Sequence, residues 1–278
     1  MEGHDMAFDA RAFTAFERAA HDRIAVPYAE HFAPLTSLAL GPLLDTARVA
    51  AGMRALDVAT GPGVAAAAAR ARGAAVTGVD VSPGMIALAR KAHPAIVFQE
   101  ADIVALPFPD GIFDAVVGNF ALGHFPEPEA ALAECMRVLA PGSALAFSWW
   151  DQPARQRVQG LFRETIAELG LPPHPDVPQG HDTLRFSNPK AFAELLRGAG
   201  LSGVAVTEHR TVQAMPDIEA LWRAGMGGMA VTASAIAVQN AATQARAREV
   251  LARRAEAHRG PMGFEIPIAY FIGSGQRP

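Results

Sequence analysis

The sequence is poor in cysteine and in lysine. Cys135 is the only cysteine among 278 residues, so neither a disulfide framework nor a cluster of thiolate metal ligands is expected. Only Lys91 and Lys190 are lysines, and every other basic side chain is an arginine. With only two lysines in the chain, a catalytic lysine is not expected. The alanine-rich surroundings of Cys135 favour a buried packing role over that of a nucleophile.

The chain also lacks a long apolar run and an excess of positive charge. The longest stretch without a charged residue, between Arg223 and Arg246, contains Gly, Thr, Ser, Gln and Asn and is a poor membrane span. The charged N-terminal region does not have the pattern of a signal peptide. The net charge of −4 argues against binding to nucleic-acid phosphates. We therefore expect a cytoplasmic protein that binds neither membrane nor nucleic acid.

Short apolar runs alternate with helical stretches after Gly52. Near-continuous apolar strands are typical of parallel sheets that are covered by helices on both faces. Right-handed crossovers between such strands give a doubly wound α/β sheet. The predicted strands are Ala55–Thr60, Val76–Asp80, Ile96–Asp102, Phe113–Phe120, Ser143–Trp150, Gly203–Gln213 and Ile266–Ser274.

The most informative feature is the turn after the first predicted strand. Gly61-Pro62-Gly63 leads from this strand into an alanine-rich helix. Glycines allow close approach of a ligand, and the helix N-terminus offers free N–H groups, although a tight connection alone also explains such a turn. Asp80 ends the second strand, where its carboxylate can accept hydrogen bonds from both hydroxyls of a ribose. Together these features predict an adenosine-type cofactor.

Two such cofactors are open, S-adenosylmethionine and a nicotinamide dinucleotide, and three residues favour the first. Pro62 has no N–H, which weakens a loop that binds a pyrophosphate. Asp57 would repel a pyrophosphate but suits the ammonium group of a methionine moiety. Asp102 ends the third strand, where it can accept a hydrogen bond from an adenine amino group.

These residues belong to a set of five ordered motifs. The chain resembles the class I S-adenosylmethionine-dependent methyltransferases, in the branch that includes menaquinone and ubiquinone C-methyltransferases and many small-molecule methyltransferases. The resemblance implies a mostly parallel, seven-stranded Rossmann-like sheet with a reversed final strand, an N-terminal helical lid and an insertion after the fifth strand. The motifs are Leu56–Gly63, Val79–Met85, Ala101–Phe108, Phe113–Phe120 and Arg137–Gly142.

The resemblance also assigns cofactor contacts to individual residues. Asp80 is expected to hold the ribose, and Val81 and Met85 to enclose the adenine. Asp102 is expected to read the adenine edge, and Asn119 to lie beside the methionine part. Ala59 stands at a usual glycine position, a change expected to need only slightly more room. The implied set is Asp57, Ala59, Thr60, Gly61, Gly63, Asp80, Val81, Met85, Ala101, Asp102, Ile103 and Asn119.

The implied reaction is an in-line displacement that moves a methyl group from the sulfonium of S-adenosylmethionine to a small organic acceptor. Many such enzymes add a general base. The candidates are His124 after the fourth strand, Asp151 after the fifth, and Tyr28 in the N-terminal helices. Each also has a structural explanation, which is packing or helix capping for His124, a solvated or capping carboxylate for Asp151, and helix packing for Tyr28.

Aromatic residues predict an apolar acceptor pocket. Trp149 and Trp150 are adjacent in a strand and point to opposite faces, so at most one is expected to line the pocket. Further candidates for its wall are Phe120, Phe125, Met226 and Met229. No metal is expected, because the cluster formed by His174, Asp176, His181 and Asp182 matches no ligand motif.

Two other functions stay open, an NAD(P)-dependent oxidoreductase and a catalytically silent module that binds the cofactor without turnover. Pro27 and Pro34 are expected to divide the N-terminal region into two or three short helices. The predicted parts of the chain are residues 1–50, an N-terminal helical lid; 51–150, a cofactor-binding core; 151–187, an insertion or cap; and 188–278, the remaining sheet with helices that shape the substrate site.

Overall fold

The structure is a computed structural model that describes residues 9–178 and 182–278. A mixed sheet forms its centre. The strands are β1 (Arg54–Val58), β2 (Ala75–Asp80), β3 (Val97–Glu100), β4 (Phe113–Gly118), β5 (Leu139–Trp150), β6 (Ser202–Met215), β7 (Arg259–Gly260) and β8 (Gly263–Gln276). Their order across the sheet is β3-β2-β1-β4-β5-β8-β6, and β7 pairs with β8.

The strand directions confirm the expected doubly wound sheet with a reversed final strand. Strands β1 to β5 pair in parallel, whereas β8 is antiparallel to both β5 and β6. The sheet has one strand more than expected, because the two-residue β7 pairs with the start of β8. Since β1 lies between β2 and β4, the connections leave it in opposite directions and open a crevice at the carboxyl ends of these strands.

Helices pack on both faces of this sheet. Ala115, Val116 and Val117 of β4 are completely buried, as their continuous apolar run predicts. Ser82 and Asn188 cap the helices that follow them, because their side chains accept hydrogen bonds from the N–H groups of Met85 and Lys190. The helices are α1 (Ala10–Pro27), α2 (Ala33–Thr36), α3 (Leu40–Thr46), α4 (Val64–Ala71), α5 (Pro83–Ala92), α6 (Pro128–Val138), α7 (Arg157–Glu168), α8 (Pro189–Gly198), α9 (Ile218–Gly228), α10 (Ala230–Ala237) and α11 (Ala241–Ala255).

Helix α1 reaches Pro27 without a break. It passes into a π-helical turn at Tyr28–Phe32, so the interruption expected at Pro27 takes the form of a wider helical turn. Pro34 lies in the first turn of α2, where a missing N–H costs no hydrogen bond.

The segment after β5 contains α7, which packs against α9, α10 and α11. Of the residues that suggested a metal cluster here, His181 lies outside the described ranges. Within residues 9–178 and 182–278, no helix combines the length and apolar character needed to cross a membrane.

Candidate functional site

The turn between β1 and α4 contains three residues with positive φ. The angle is +51° for Ala59, +55° for Gly61 and +87° for Gly63. A Cβ atom on Gly63 would lie 2.9 Å from the ring of Phe98, whereas one on Gly61 would meet no atom within 4 Å. Packing and backbone conformation therefore both require glycine at position 63, while Gly61 leaves an open approach to the backbone.

Ala59 is under backbone strain. The change from glycine at this position was expected to need only slightly more room. In the left-handed conformation, however, the Cβ atom of an L-residue comes too close to the following carbonyl oxygen, which costs about 1 kcal/mol. This strain lies directly before the turn that a ligand would approach.

Asp57 supports the turn from behind. It is 1% exposed, and its Oδ2 accepts a hydrogen bond of 2.6 Å from the Thr60 hydroxyl. Its Oδ1 has no partner among the described residues. Burial raises the pKa of Asp57 to about 7. Asp57 is thus a buried carboxyl group held beside the turn.

A first cavity of about 840 Å³ opens at the carboxyl ends of β1, β2 and β4, and its size suits a small organic ligand. Its walls contain nine of the residues implied as cofactor contacts: Ala59, Gly61, Asp80, Val81, Met85, Ala101, Asp102, Ile103 and Asn119. Asp57, Thr60 and Gly63 of the implied set do not line it. Thr60 and Gly63 belong to the turn itself and Asp57 lies in β1 just before it, so we assign these three residues to the support of the turn.

Asp80 is fixed at the mouth of the turn by two backbone hydrogen bonds. Its Oδ2 accepts from the N–H of Gly61 at 2.8 Å, and its Oδ1 accepts from the N–H of Ser82 at 2.9 Å. Burial raises the pKa of Asp80, although these hydrogen bonds act in the opposite direction. Each carboxylate oxygen keeps a further lone pair, so the side chain can still accept hydrogen bonds from a diol.

The backbone after β4 is held tightly where the first cavity ends. The Asn119 amide donates to the carbonyl of Thr36 at 3.1 Å and accepts from the Ser148 hydroxyl at 2.8 Å. Phe120 has a φ of +54° and stacks on Trp150 with ring centroids 3.6 Å apart. A bulky residue in the left-handed region stores strain, which the stack and a hydrogen bond from its N–H to Ser148 hold in place.

Helix α1 covers the first cavity and brings a buried carboxylate between two histidines. Glu17 is 4% exposed, and its Oε2 lies 2.9 Å from Nδ1 of His124 and 3.2 Å from Nδ1 of His21. Its Oε1 is buried without a partner among the described residues. Ligand atoms of the three side chains lie within 4.8 Å of one another, a spacing that would also suit a divalent cation.

The charges of this cluster compensate one another. Burial alone would raise the pKa of Glu17, but the charges and hydrogen bonds of His124 and His21 outweigh it and hold this pKa well below its usual range. Burial likewise would lower the pKa of His21, and Glu17 outweighs it and raises the pKa to about 9. At neutral pH, protonated His21 therefore neutralises Glu17.

Two further contacts hold α1 to the sheet. Arg18 forms an ion pair of 2.6 Å with Glu100 at the end of β3. The Asp22 carboxylate accepts hydrogen bonds from the Ser82 hydroxyl and from the N–H of Gly84, the latter at 2.9 Å. These contacts hold the helix where it closes one side of the first cavity.

A second cavity of about 600 Å³ adjoins the first. Tyr28, Phe120 and His124 line both, so the two cavities meet at these side chains. Trp149 and Trp150 both line the second cavity, so the expectation that at most one would do so is wrong. Side chains alternate between the two faces within a strand. Trp149 and Trp150, however, are the last two residues of β5, and the cavity extends around this end of the strand. The remaining wall consists of Phe32, Gln156, Gln159, Thr183, Gly228, Met229, Ala230, Val231 and Thr232.

The three candidate bases have different surroundings. Asp151 lines neither cavity, and its carboxylate accepts from the N–H of Gln152 at 2.6 Å and from Arg155 at 3.3 Å. Tyr28 lies at the junction, where burial raises the pKa of its hydroxyl to about 12. Tyr28 is therefore a hydrogen-bond donor at neutral pH, and His124 is the candidate with a base's chemistry at the junction.

Known proteins are similar to this chain in sequence. A family model described as a methyltransferase domain matches residues 56–147. A demethylmenaquinone methyltransferase of Thermus thermophilus is 45% identical over 126 residues, which cover 43% of this chain and 57% of that protein. Another, from Parafrankia sp., is 31% identical over 201 residues, which cover 59% of this chain and 79% of that protein. The chain belongs to the class I S-adenosylmethionine-dependent methyltransferases.

The cofactor of this methyltransferase is S-adenosylmethionine, as the sequence predicted. Its fold resembles phosphoethanolamine N-methyltransferase 2 of Haemonchus contortus, solved in complex with S-adenosyl-L-methionine. The TM-score is 0.52 at 16% identity, with 87% of this chain and 52% of that chain covered. The chain spans less than two thirds of the length of the Thermus relative.

Sequence analysis of the methyltransferase missed Glu17, His21 and Gln159. The spacing of Glu17 and His21 on one helix face was the only available signal. Their partner, His124, follows Glu17 by 107 positions, so only the folded chain shows the cluster.

Proposed function

We propose that the protein transfers a methyl group from S-adenosylmethionine to a small organic acceptor by in-line displacement. The observation that supports this most is the junction of the two cavities at Tyr28, Phe120 and His124. An acceptor in the second cavity would lie next to a cofactor in the first, and such proximity is the main requirement of the reaction.

The residues of the first cavity fit this cofactor. Asp80 has lone pairs left for the two ribose hydroxyls, and Val81 and Met85 present apolar surface to a flat adenine ring. Asp57 lies beside the turn, and the negative charge of its ionised form would repel a pyrophosphate but not a cationic group. When bound, the cofactor supplies an already activated methyl group, so the protein has mainly to position the acceptor.

His124 is proposed as the general base. Because a carboxylate only accepts hydrogen bonds, Nδ1 of His124 donates to Glu17, and in the neutral form of this imidazole Nε2 keeps its lone pair. Nε2 can then take the proton from an acidic O–H, N–H or C–H of the acceptor. Glu17 acts as a positioning residue that fixes the tautomer, and protonated His21 keeps this carboxylate neutralised.

The second cavity supports an apolar acceptor with a flat ring. Phe32, Phe120, Trp149 and Trp150 form much of its wall. The relatives above are named for the methylation of demethylmenaquinone, which agrees with such a wall. We place this reaction in the cytoplasm, with no part for nucleic acid or membrane. We propose no metal ion at the cluster of Glu17, His21 and His124, because protonated His21 already balances the charge of Glu17. Turnover unchanged by EDTA would agree with a metal-free site.

Calorimetry and a transfer assay test this proposal. The protein is expected to bind S-adenosylmethionine with micromolar affinity and to ignore NADH; the opposite result would favour the oxidoreductase. Methyl-labelled cofactor is then incubated with a set of hydroxylated aromatic compounds, and label should enter the organic product. Cofactor binding without transfer to any of them would favour the silent module.

A further inference from the structure

One side chain in the wall of the second cavity has a buried polar atom for which the described residues provide no partner. Gln159 lies in the first turn of α7, and its side-chain Oε1 is buried without a hydrogen bond. Its backbone N–H is already used, because the Gln156 side chain accepts from it at 2.6 Å and caps the helix. The free acceptor of Gln159 is therefore not needed for the helix itself.

The chemistry around this atom restricts what can pair with it. Apart from His124, the described residues that line the second cavity carry no ionisable group other than the Tyr28 phenol, and none of them is Asp, Glu, Lys or Arg. A charged ligand would therefore be desolvated without a counter-charge, which strongly disfavours it. Aromatic rings on several sides favour a flat ligand.

We propose that Gln159 recognises the acceptor, and that the second cavity selects a neutral, flat molecule with an O–H or N–H donor apart from the atom that is methylated. This inference rests on the proposed function, since it takes His124 to mark the reacting end of the cavity. Donation to Oε1 satisfies the buried carbonyl and fixes the ring in one orientation. A ligand without the donor leaves that oxygen unpaired, which a site built for hydrogen bonding penalises strongly.

A pair of probes isolates this contact. Indole and 1-methylindole are flat and neutral, and they differ in one N–H donor. Each is titrated calorimetrically into protein saturated with S-adenosylhomocysteine. The wild-type protein is expected to bind indole at least about tenfold more tightly than 1-methylindole, the factor that one buried hydrogen bond supplies.

Variants assign the preference to one side chain. Gln159→Met keeps the volume and removes the acceptor, so the ratio of the two affinities should fall to within about twofold. Gln159→Glu retains an acceptor and should keep the preference for the donor. Gln152→Met makes the same change at an exposed residue before α7 and should behave as wild type.

Three results would overturn the inference: no preference in the wild-type protein, an unchanged preference in Gln159→Met, or binding of neither probe. Failure of S-adenosylhomocysteine to bind would contradict the proposed function instead. In that case the same titrations without the nucleoside still decide whether Gln159 reads the donor.

Discussion

The first and second cavities are built in different ways. The first takes most of its walls from residues at the carboxyl ends of four neighbouring strands, β3, β2, β1 and β4, each of which belongs to a short motif. The second combines the π-helical turn, the end of β5, the start of α7 and the region between α9 and α10. Its residues come from segments with no common motif. Short sequence motifs thus determine most of the proposed cofactor site, whereas the proposed acceptor site forms only when distant segments pack together.

The largest expected effect is the loss of turnover when His124, at the junction of the two cavities, is replaced. His124→Asn removes the proposed base and should lower kcat by a factor of about 100 or more, while the affinity for S-adenosylmethionine changes little. Glu17→Gln should lower kcat less and alter its pH profile, because Glu17 acts through His124. Steady-state kinetics with calorimetry measure both.

His258→Asn serves as the control for this series, since it lies outside both cavities. Wild-type turnover in His124→Asn would remove this residue from the mechanism and would make the junction a binding feature alone.

Asp80→Asn should act on the first cavity only. Loss of the charged acceptor for the ribose hydroxyls, and of its bonds to Gly61 and Ser82, is expected to weaken S-adenosylmethionine binding about 100-fold. Indole should bind the second cavity as before. Asp45→Asn, at an exposed carboxylate paired with Arg72, gives the control. Unchanged cofactor affinity in Asp80→Asn would contradict the ribose assignment.

A smaller effect concerns the helix that covers the first cavity. His21 faces Glu17, His124 and Asp80, and its pKa rises from 6.5 to about 9 on folding. A raised pKa stabilises the protonated folded state, so this contribution is complete below pH 6.5 and is lost as the pH rises through 9. It amounts to about 3 kcal/mol at most.

Denaturant unfolding between pH 8 and 9.5 measures this loss, since Asp57, with a pKa of about 7, is then about nine-tenths or more ionised in the folded protein. His21→Gln should flatten the profile. A profile of equal slope in wild type and variant would show that His21 does not carry the charge opposite Glu17.

The smallest expected effect tests the strain in the cofactor turn. Ala59→Gly removes the Cβ atom from a left-handed residue and should stabilise the fold by about 0.5 kcal/mol after the entropy of the unfolded chain is counted. Ala67→Gly in the interior of α4 is the matched control and should destabilise by about 1 kcal/mol. Thermal unfolding of the two variants measures both effects. A lower melting temperature in Ala59→Gly than in the wild-type protein would contradict the claim that Ala59 is strained.

This difference between the cavities also explains what the sequence could predict. Apolar runs predicted the parallel strands, whereas the reversed final strand followed from the family resemblance, and Asp80 followed from its place at a strand end. Ala59 shows the limit of such patterns, because its strain depends on a backbone angle. The three-residue cluster of Glu17, His21 and His124 could not be foreseen, because it needs the docking of α1 on the loop after β4.

Asp151 illustrates the same limit from the other side. Its position after β5 suggested a catalytic role, but its hydrogen bonds run to Gln152 and Arg155. A side chain at the end of a strand can face a cavity or the protein around it, and the path of the segment that follows determines which. The sequence predicted only that this segment, residues 151–187, is an insertion or cap.

The most direct test of the account is a crystal structure with S-adenosylhomocysteine bound. The account predicts that Asp80 accepts hydrogen bonds from both ribose hydroxyls and that the sulfur faces the second cavity beside His124. A nucleoside whose sulfur is walled off from the second cavity, or whose ribose leaves Asp80 unpaired, would contradict it.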